Sequence, residues 1–127
     1  MMWRNRKGKF NASRCTCANG HLHDSGLESR RCDYLHLLMR GDEEIYGGRL
    51  DAIEVQPTIE LRVNRVLICK YRPDFALAMR WEKQPIYEDV KGIETAVFRL
   101  KRRLYDALHP KNPLRVVKRA GRAWIQV

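Results

Sequence analysis

Pro73-Asp74-Phe75 and Glu88-Asp89-Val90-Lys91 carry the residue types from which a divalent-metal site for phosphodiester chemistry can be built. On an extended strand side chains alternate faces, so Tyr87, Asp89 and Lys91 share one side and Ile86, Glu88 and Val90 the other. That parity selects Asp89 over Glu88 as the acid beside Lys91, unless a bulge reverses it. A carboxylate and an ammonium two residues apart give a metal ligand next to a cation that can orient water or steady developing charge. Asp74, at the start of the preceding extended stretch, reaches the same spot if the two stretches form a hairpin. Two oxygen ligands with open positions suit Mg²⁺ or Mn²⁺, which fill their shells with water and phosphate oxygens. A second ion would sit roughly 3.5–4 Å away, and Lys91 would act on the transition state or the nucleophile. An Asp-x-Lys on a strand is by itself a common surface ion pair, so the surrounding elements have to decide.

Those elements read as an α/β domain. Ser25 is placed as the N-cap of a helix with Glu28 in the capping-box position; Leu27, Tyr34, Leu35 and Leu38 follow at helical spacing and Gly41 ends it. Ile53–Leu61 alternates like a strand, with Pro57 marking an edge or bulge. Arg65–Lys70, Asp74–Met79 and Ile86–Lys91 follow as strands, the last two separated by a polar turn around Glu82-Lys83-Gln84-Pro85. Thr95 caps a second helix through Leu108, with Val97, Leu100, Leu104 and Leu108 as its expected buried stripe. Leu114–Val117 and Ala123–Val127 close the chain. The order predicts an αβββαβ core, a mixed central sheet flanked by helices. Residues 1–23 read as a basic, partly ordered arm and residues 24–127 as one domain.

The 127 residues are 44% hydrophobic and 31% charged, a globular composition, and 25 Lys+Arg against 15 Asp+Glu leave a net charge of +10. A small, strongly basic domain meets a polyanion. The cations fall into an arm (Arg4, Arg6, Lys7, Lys9, Arg14), a second-helix set (Arg99, Lys101, Arg102, Arg103) and a C-terminal set including Lys118 and Arg119. All three are candidates for phosphate contact. Trp3, Tyr71 and Trp124 could stack on bases, although Tyr71 and Trp124 fit a core equally well. No apolar run spans a bilayer and no signal peptide is visible, so no membrane partner is expected and the cytoplasm is the default compartment. Cys15, Cys17, Cys32 and Cys69 are therefore expected as free thiols. Cys15-x-Cys17 with His21-x-His23 and Cys32 has zinc-type donors, but the spacing does not match the common Cys-x₂₋₄-Cys and His-x₃₋₅-His pairs, so zinc is not expected. Cys32 and Cys69 read instead as small buried apolar residues.

The string Arg72-Pro73-Asp74-Phe75…Glu88-Asp89-Val90-Lys91-Gly92 resembles the PD-(D/E)xK nuclease superfamily, and within it a group of small bacteriophage-encoded proteins read as endonucleases. Asp24-Ser25-x-x-Glu28-x-x-Arg31, Glu54-Val55-Gln56-Pro57 and Thr95-x-x-Phe98-Arg99-Leu100-Lys101 resemble that group's other motifs in the same order, over about residues 20–117. His21-Leu22-His23 departs from it, since relatives carry an apolar-aromatic pair there. The resemblance implies a restriction-endonuclease-like fold in which Asp74, Asp89 and Glu28 bind Mg²⁺ or Mn²⁺, with Gln56 nearby and Lys91 catalytic. It further implies cleavage of DNA, selective for branched or four-way structures, in a host cytoplasm. Symmetric cutting of two strands needs two sites, which a homodimer would supply. The competing expectations are an inert nucleic-acid-binding protein that retains the nuclease fold and a zinc-stabilised adaptor.

Overall fold

The computed structural model describes residues 14–127; the arm residues Trp3, Arg4, Arg6, Lys7 and Lys9 lie outside them. The chain divides into two compact units, one running to Leu50 and the other spanning Asp51–Val127.

In the first unit a hairpin of β1 (Cys15–Thr16) and β2 (Leu22–His23) pairs Cys15 with His23. Gly20 turns it at φ +84°, a conformation only glycine adopts without strain. Helix α1 (Gly26–Arg40) begins where expected: the Ser25 hydroxyl accepts from the Glu28 amide at 3.1 Å, and Gly41 caps the far end. Its buried side is Glu28, Ser29, Arg31, Cys32, Leu35 and Leu38, whereas Tyr34 is exposed. A short strand, β3 (Glu44–Ile45), pairs with the start of β4 (Gly48–Val55) across Tyr46-Gly47. Both turn residues have positive φ, as a type I′ turn requires.

The second unit contains the rest of β4, a hairpin of β5 (Ile59–Val63) and β6 (Val66–Tyr71), then β7 (Phe75–Met79), β8 (Ile86–Val90), α2 (Ala96–Leu108), β9 (Arg115–Ala120) and β10 (Ala123–Gln126). The sheet runs β10-β9-β8-β7-β4, with β5 and β6 paired separately. β7–β8 and β9–β10 are antiparallel; β8–β9 is parallel, and α2 supplies the long crossover that a parallel pair needs. The fold is mixed α/β, and the αβββαβ order is carried by α1, β4, β7, β8, α2 and β9.

Two expectations change. Ile53–Leu61 is not one strand. Gln56 adopts φ +52° between β4 and β5, and this left-handed residue before Pro57 ends the ladder and sends the chain into a different sheet. The alternating pattern continues through the break because both flanking strands have one apolar face, so periodicity alone cannot show it.

The buried stripe of α2 also differs. Thr95 does cap the helix, its hydroxyl accepting from the Phe98 amide at 3.1 Å. But Val97 and Leu100 are 63% and 68% exposed, and the helix buries Phe98 and Tyr105 instead, with Leu104 and Leu108 partly covered. Phe98 and Tyr105 are two turns apart, and their larger apolar area sets which face turns inward. They join Leu61, Tyr71, Leu114 and Val116 in the core, and Tyr105 lies edge-on to Tyr87 at 5.9 Å. Burial pushes the Tyr105 hydroxyl up to about 12. Thr95→Ala is expected to cost about 1 kcal/mol through the lost cap, measured as a shift in the urea midpoint without a change in slope.

Candidate functional site

The β7–β8 hairpin builds the carboxylate site. Its register pairs Phe75 with Glu88, Ala76 with Tyr87 and Leu77 with Ile86. Continued by one residue, that register sets Asp74 opposite Asp89. Each aspartate is fixed by the other's strand: the Asp74 amide donates to Asp89 Oδ1 at 3.2 Å, and the Val90 amide donates to Asp74 Oδ2 at 2.7 Å. Lys91 follows just beyond β8, where its amide donates to the Val117 carbonyl at 2.9 Å. Its ammonium stands 3.7 Å from Asp89 Oδ1 and 4.0 Å from the centre of the Phe98 ring. Tyr87 and Lys91 thus both face α2, on the side that strand parity assigns to Asp89. Glu88 is fully buried on the opposite face, in register with Arg115 of β9.

Burial makes the electrostatics consequential. Asp74 is 3% exposed, Asp89 0% and Lys91 9%. Two carboxylates beside one ammonium in a poorly hydrated place form an arrangement that a bound divalent cation would suit. All the side-chain donors to such an ion are carboxylate oxygens, the chemistry that suits Mg²⁺ or Mn²⁺ and not a soft metal.

Gln56 is not on the polar face of a strand as expected. It lies in the break after β4, its amide donating to the Asp74 carbonyl at 2.8 Å, while its side-chain carbonyl accepts from Arg72. Its clear contribution is to hold the Asp74 backbone. Glu28 belongs to the first unit, where it is buried in the first turn of α1.

The first unit holds a second constellation, which weighs against the expectation that zinc has no place here. Cys17, His21, His23 and Cys32 each present a ligand atom, all within 4.8 Å of one another. Cys15, the other half of the Cys-x-Cys, is exposed and outside the set. The sequence offers these donors, but comparison with paired Cys-x₂₋₄-Cys and His-x₃₋₅-His spacings argues against them. Three donors come from one tight hairpin and the fourth from a helix, so the relevant signal is Cys-x₃-His-x-His before a helix carrying a cysteine. Burial pushes the Cys32 thiol up to about 12, and the adjacent Cys17 adds to it. Burial also lowers His23, with His21 contributing.

The model of a family described as "Protein of unknown function (DUF1064)" matches residues 7–122. The chain belongs to the DUF1064 family. No curated protein and no solved structure matches it.

The described cations of this DUF1064 chain are unequally available. Arg102 is engaged by Glu94 at 3.7 Å and by the Val127 carbonyl at 2.8 Å, and Lys101 donates to the Lys70 carbonyl at 3.0 Å. Arg99 reaches the Glu94 carbonyl at 3.4 Å, while Arg119 donates to the Gly121 carbonyl and lies over the Trp124 ring. Arg103 and Lys118 are exposed. Tyr71 is buried in the core, whereas Trp81, in the β7–β8 turn, is 94% exposed at φ +71°. No helix among the described residues is long and apolar enough to cross a membrane.

Proposed function

We propose that this DUF1064 chain is a divalent-metal-dependent endonuclease that hydrolyses DNA phosphodiester bonds. The observation that carries the reading is the facing pair Asp74 and Asp89, locked by reciprocal backbone bonds, with the Lys91 ammonium 3.7 Å from Asp89. Asp74 and Asp89 would hold Mg²⁺ or Mn²⁺, and the ion would supply Lewis-acid polarisation of the scissile phosphate and activation of water. Lys91, already held against Asp89 and the face of Phe98, stabilises the charge that builds on the phosphoryl oxygens. Gln56 keeps the Asp74 backbone in place. A net charge of +10 supports a polyanionic substrate. The preference for branched or four-way DNA rests on the family resemblance of the motifs, and a homodimer would deliver paired cuts.

The deciding assay incubates linear, nicked, flapped and four-way DNA with the protein, with and without Mg²⁺, beside Asp74→Ala. Mg²⁺-dependent cleavage that Asp74→Ala lacks is the expected result. Tight binding with no cleavage in any metal would instead make this an inert DNA-binding member of the fold.

A further inference from the structure

A buried cluster of two thiols and two imidazoles needs an explanation that the nuclease site does not give. Cys17 and Cys32 place their sulfurs 3.7 Å apart, well beyond the ~2.05 Å of a disulfide. His21 Nδ1 lies 3.7 Å from the Cys17 sulfur and 3.4 Å from that of Cys32. Tetrahedral zinc, with Zn–S about 2.3 Å and Zn–N about 2.0–2.1 Å, sets sulfur–sulfur edges near 3.8 Å and sulfur–nitrogen edges near 3.5 Å. All three distances match those edges, and a ring nitrogen of His23 lies within 4.8 Å of the other three donors. We propose that Cys17, His21, His23 and Cys32 form a closed structural zinc site that staples the β1–β2 hairpin to α1.

The chemistry of the donors selects the metal. Two thiolates and two neutral imidazoles around Zn²⁺ give a complex of zero net charge, which tolerates burial, and sulfur ligands discriminate against Mg²⁺. Four protein ligands leave no open position, so the site does not activate water.

The scaffold around it is prepared without the metal. The Cys17 amide donates to the His21 carbonyl at 2.9 Å, closing the turn that points both donors inward. Asp33, next to Cys32 on α1, accepts from the Ala18 amide at 2.9 Å and from Asn19 at 3.0 Å. Arg40 donates to the Asn19 side-chain oxygen, Oδ1. These bonds hold the turn against the helix and fix the ligands from behind, as the outer partners of metal sites do. His36, one turn after Cys32, has its Nδ1 2.9 Å from the Cys32 backbone carbonyl. The same nitrogen lies 3.6 Å from the Cys32 sulfur, but it is taken by the carbonyl, and His36 is not one of the four donors that lie together. The first unit also has a reason to need a staple. Among its described residues the buried apolar side chains are few (Cys17, Cys32, Leu35, Leu38 and Leu50), and small units commonly add a metal or disulfides to a small core.

The test is metal counting on the full chain, grown with zinc and desalted into Mg²⁺ buffer. Elemental mass spectrometry is expected to find about one zinc per chain, as one tetrahedral site holds, in the parent, in His36→Ala and in Asp74→Ala. Cys17→Ser and Cys32→Ser are expected to lose it. Because the cysteine variants could fail to fold, the parent chain is also refolded with Co²⁺. Tetrahedral d–d absorption with sulfur-to-cobalt charge transfer is expected. Any of four results overturns the proposal: a zinc-free parent with freely titrating thiols, a Cys17–Cys32 disulfide by mass, an octahedral cobalt spectrum without charge transfer, or zinc lost in Asp74→Ala.

Discussion

Asp89→Asn is expected to lower Mg²⁺-dependent DNA cleavage by on the order of 10²–10³-fold or more, the scale seen when one group aimed at developing charge is removed, with the fold intact. Asparagine has nearly the same shape and keeps an oxygen where the Asp74 amide donates to Asp89 Oδ1, so the β7–β8 register has no reason to slip. What disappears is the negative charge, and a neutral amide is a far weaker ligand for a hard cation. The same change removes one of two neighbouring buried carboxylates but also the partner 3.7 Å from the Lys91 ammonium, so the metal-free protein is expected to fold with somewhat lower stability than the parent. The parent is expected to gain stability on adding Mg²⁺, by about 2.7 kcal/mol at a hundredfold excess over Kd, and Asp89→Asn should lose that gain. Thermal melts with and without Mg²⁺, run beside the cleavage assay, separate this outcome from simple unfolding. A variant that cleaves like its parent would remove Asp89 from the list of ligands.

The site was legible to the extent that it depends on local rules. Strand parity puts Asp89 and Lys91 on one face from the sequence alone, and a short polar turn between two apolar runs suggests the hairpin that brings Asp74 to Asp89. Both rules need only neighbouring residues. Gln56 was harder because its left-handed backbone lies inside an unbroken alternation, and only Pro57 marks the place. The α2 face was misread for a related reason: Val97 and Leu100 fit the helical period as well as Phe98 does, and the choice is made by the hairpin and sheet that α2 packs on. The Cys17, His21, His23 and Cys32 donors are visible in the sequence, but their spacing argues against a site because a turn and a helix recruit them together. Spacing rules derived from paired motifs have no place for that combination.

Phe98 connects the two parts of the second unit, since one ring is both a core residue and the platform under Lys91. Phe98→Ala is expected to destabilise the chain by about 3–5 kcal/mol, the usual cost of emptying a buried aromatic site. That variant also leaves Lys91 without its neighbour, so its activity loss mixes two causes. Phe98→Leu separates them. Leucine refills much of the volume at a cost of less than about 1.5 kcal/mol, but it has no π face. A cation over an aromatic ring is worth about 0.5–2 kcal/mol depending on solvation, and the Lys91 ammonium is 4.0 Å from the ring centre. Losing that attraction frees Lys91 to shift relative to Asp89. If seating Lys91 matters mainly in the transition state, kcat should fall roughly 2–30-fold, the same energy expressed as a rate, with KM little changed. Urea melts and cleavage kinetics on the two variants make the comparison. Phe98→Leu with parental kcat would show that the ring serves packing alone and that Asp89 by itself positions the lysine.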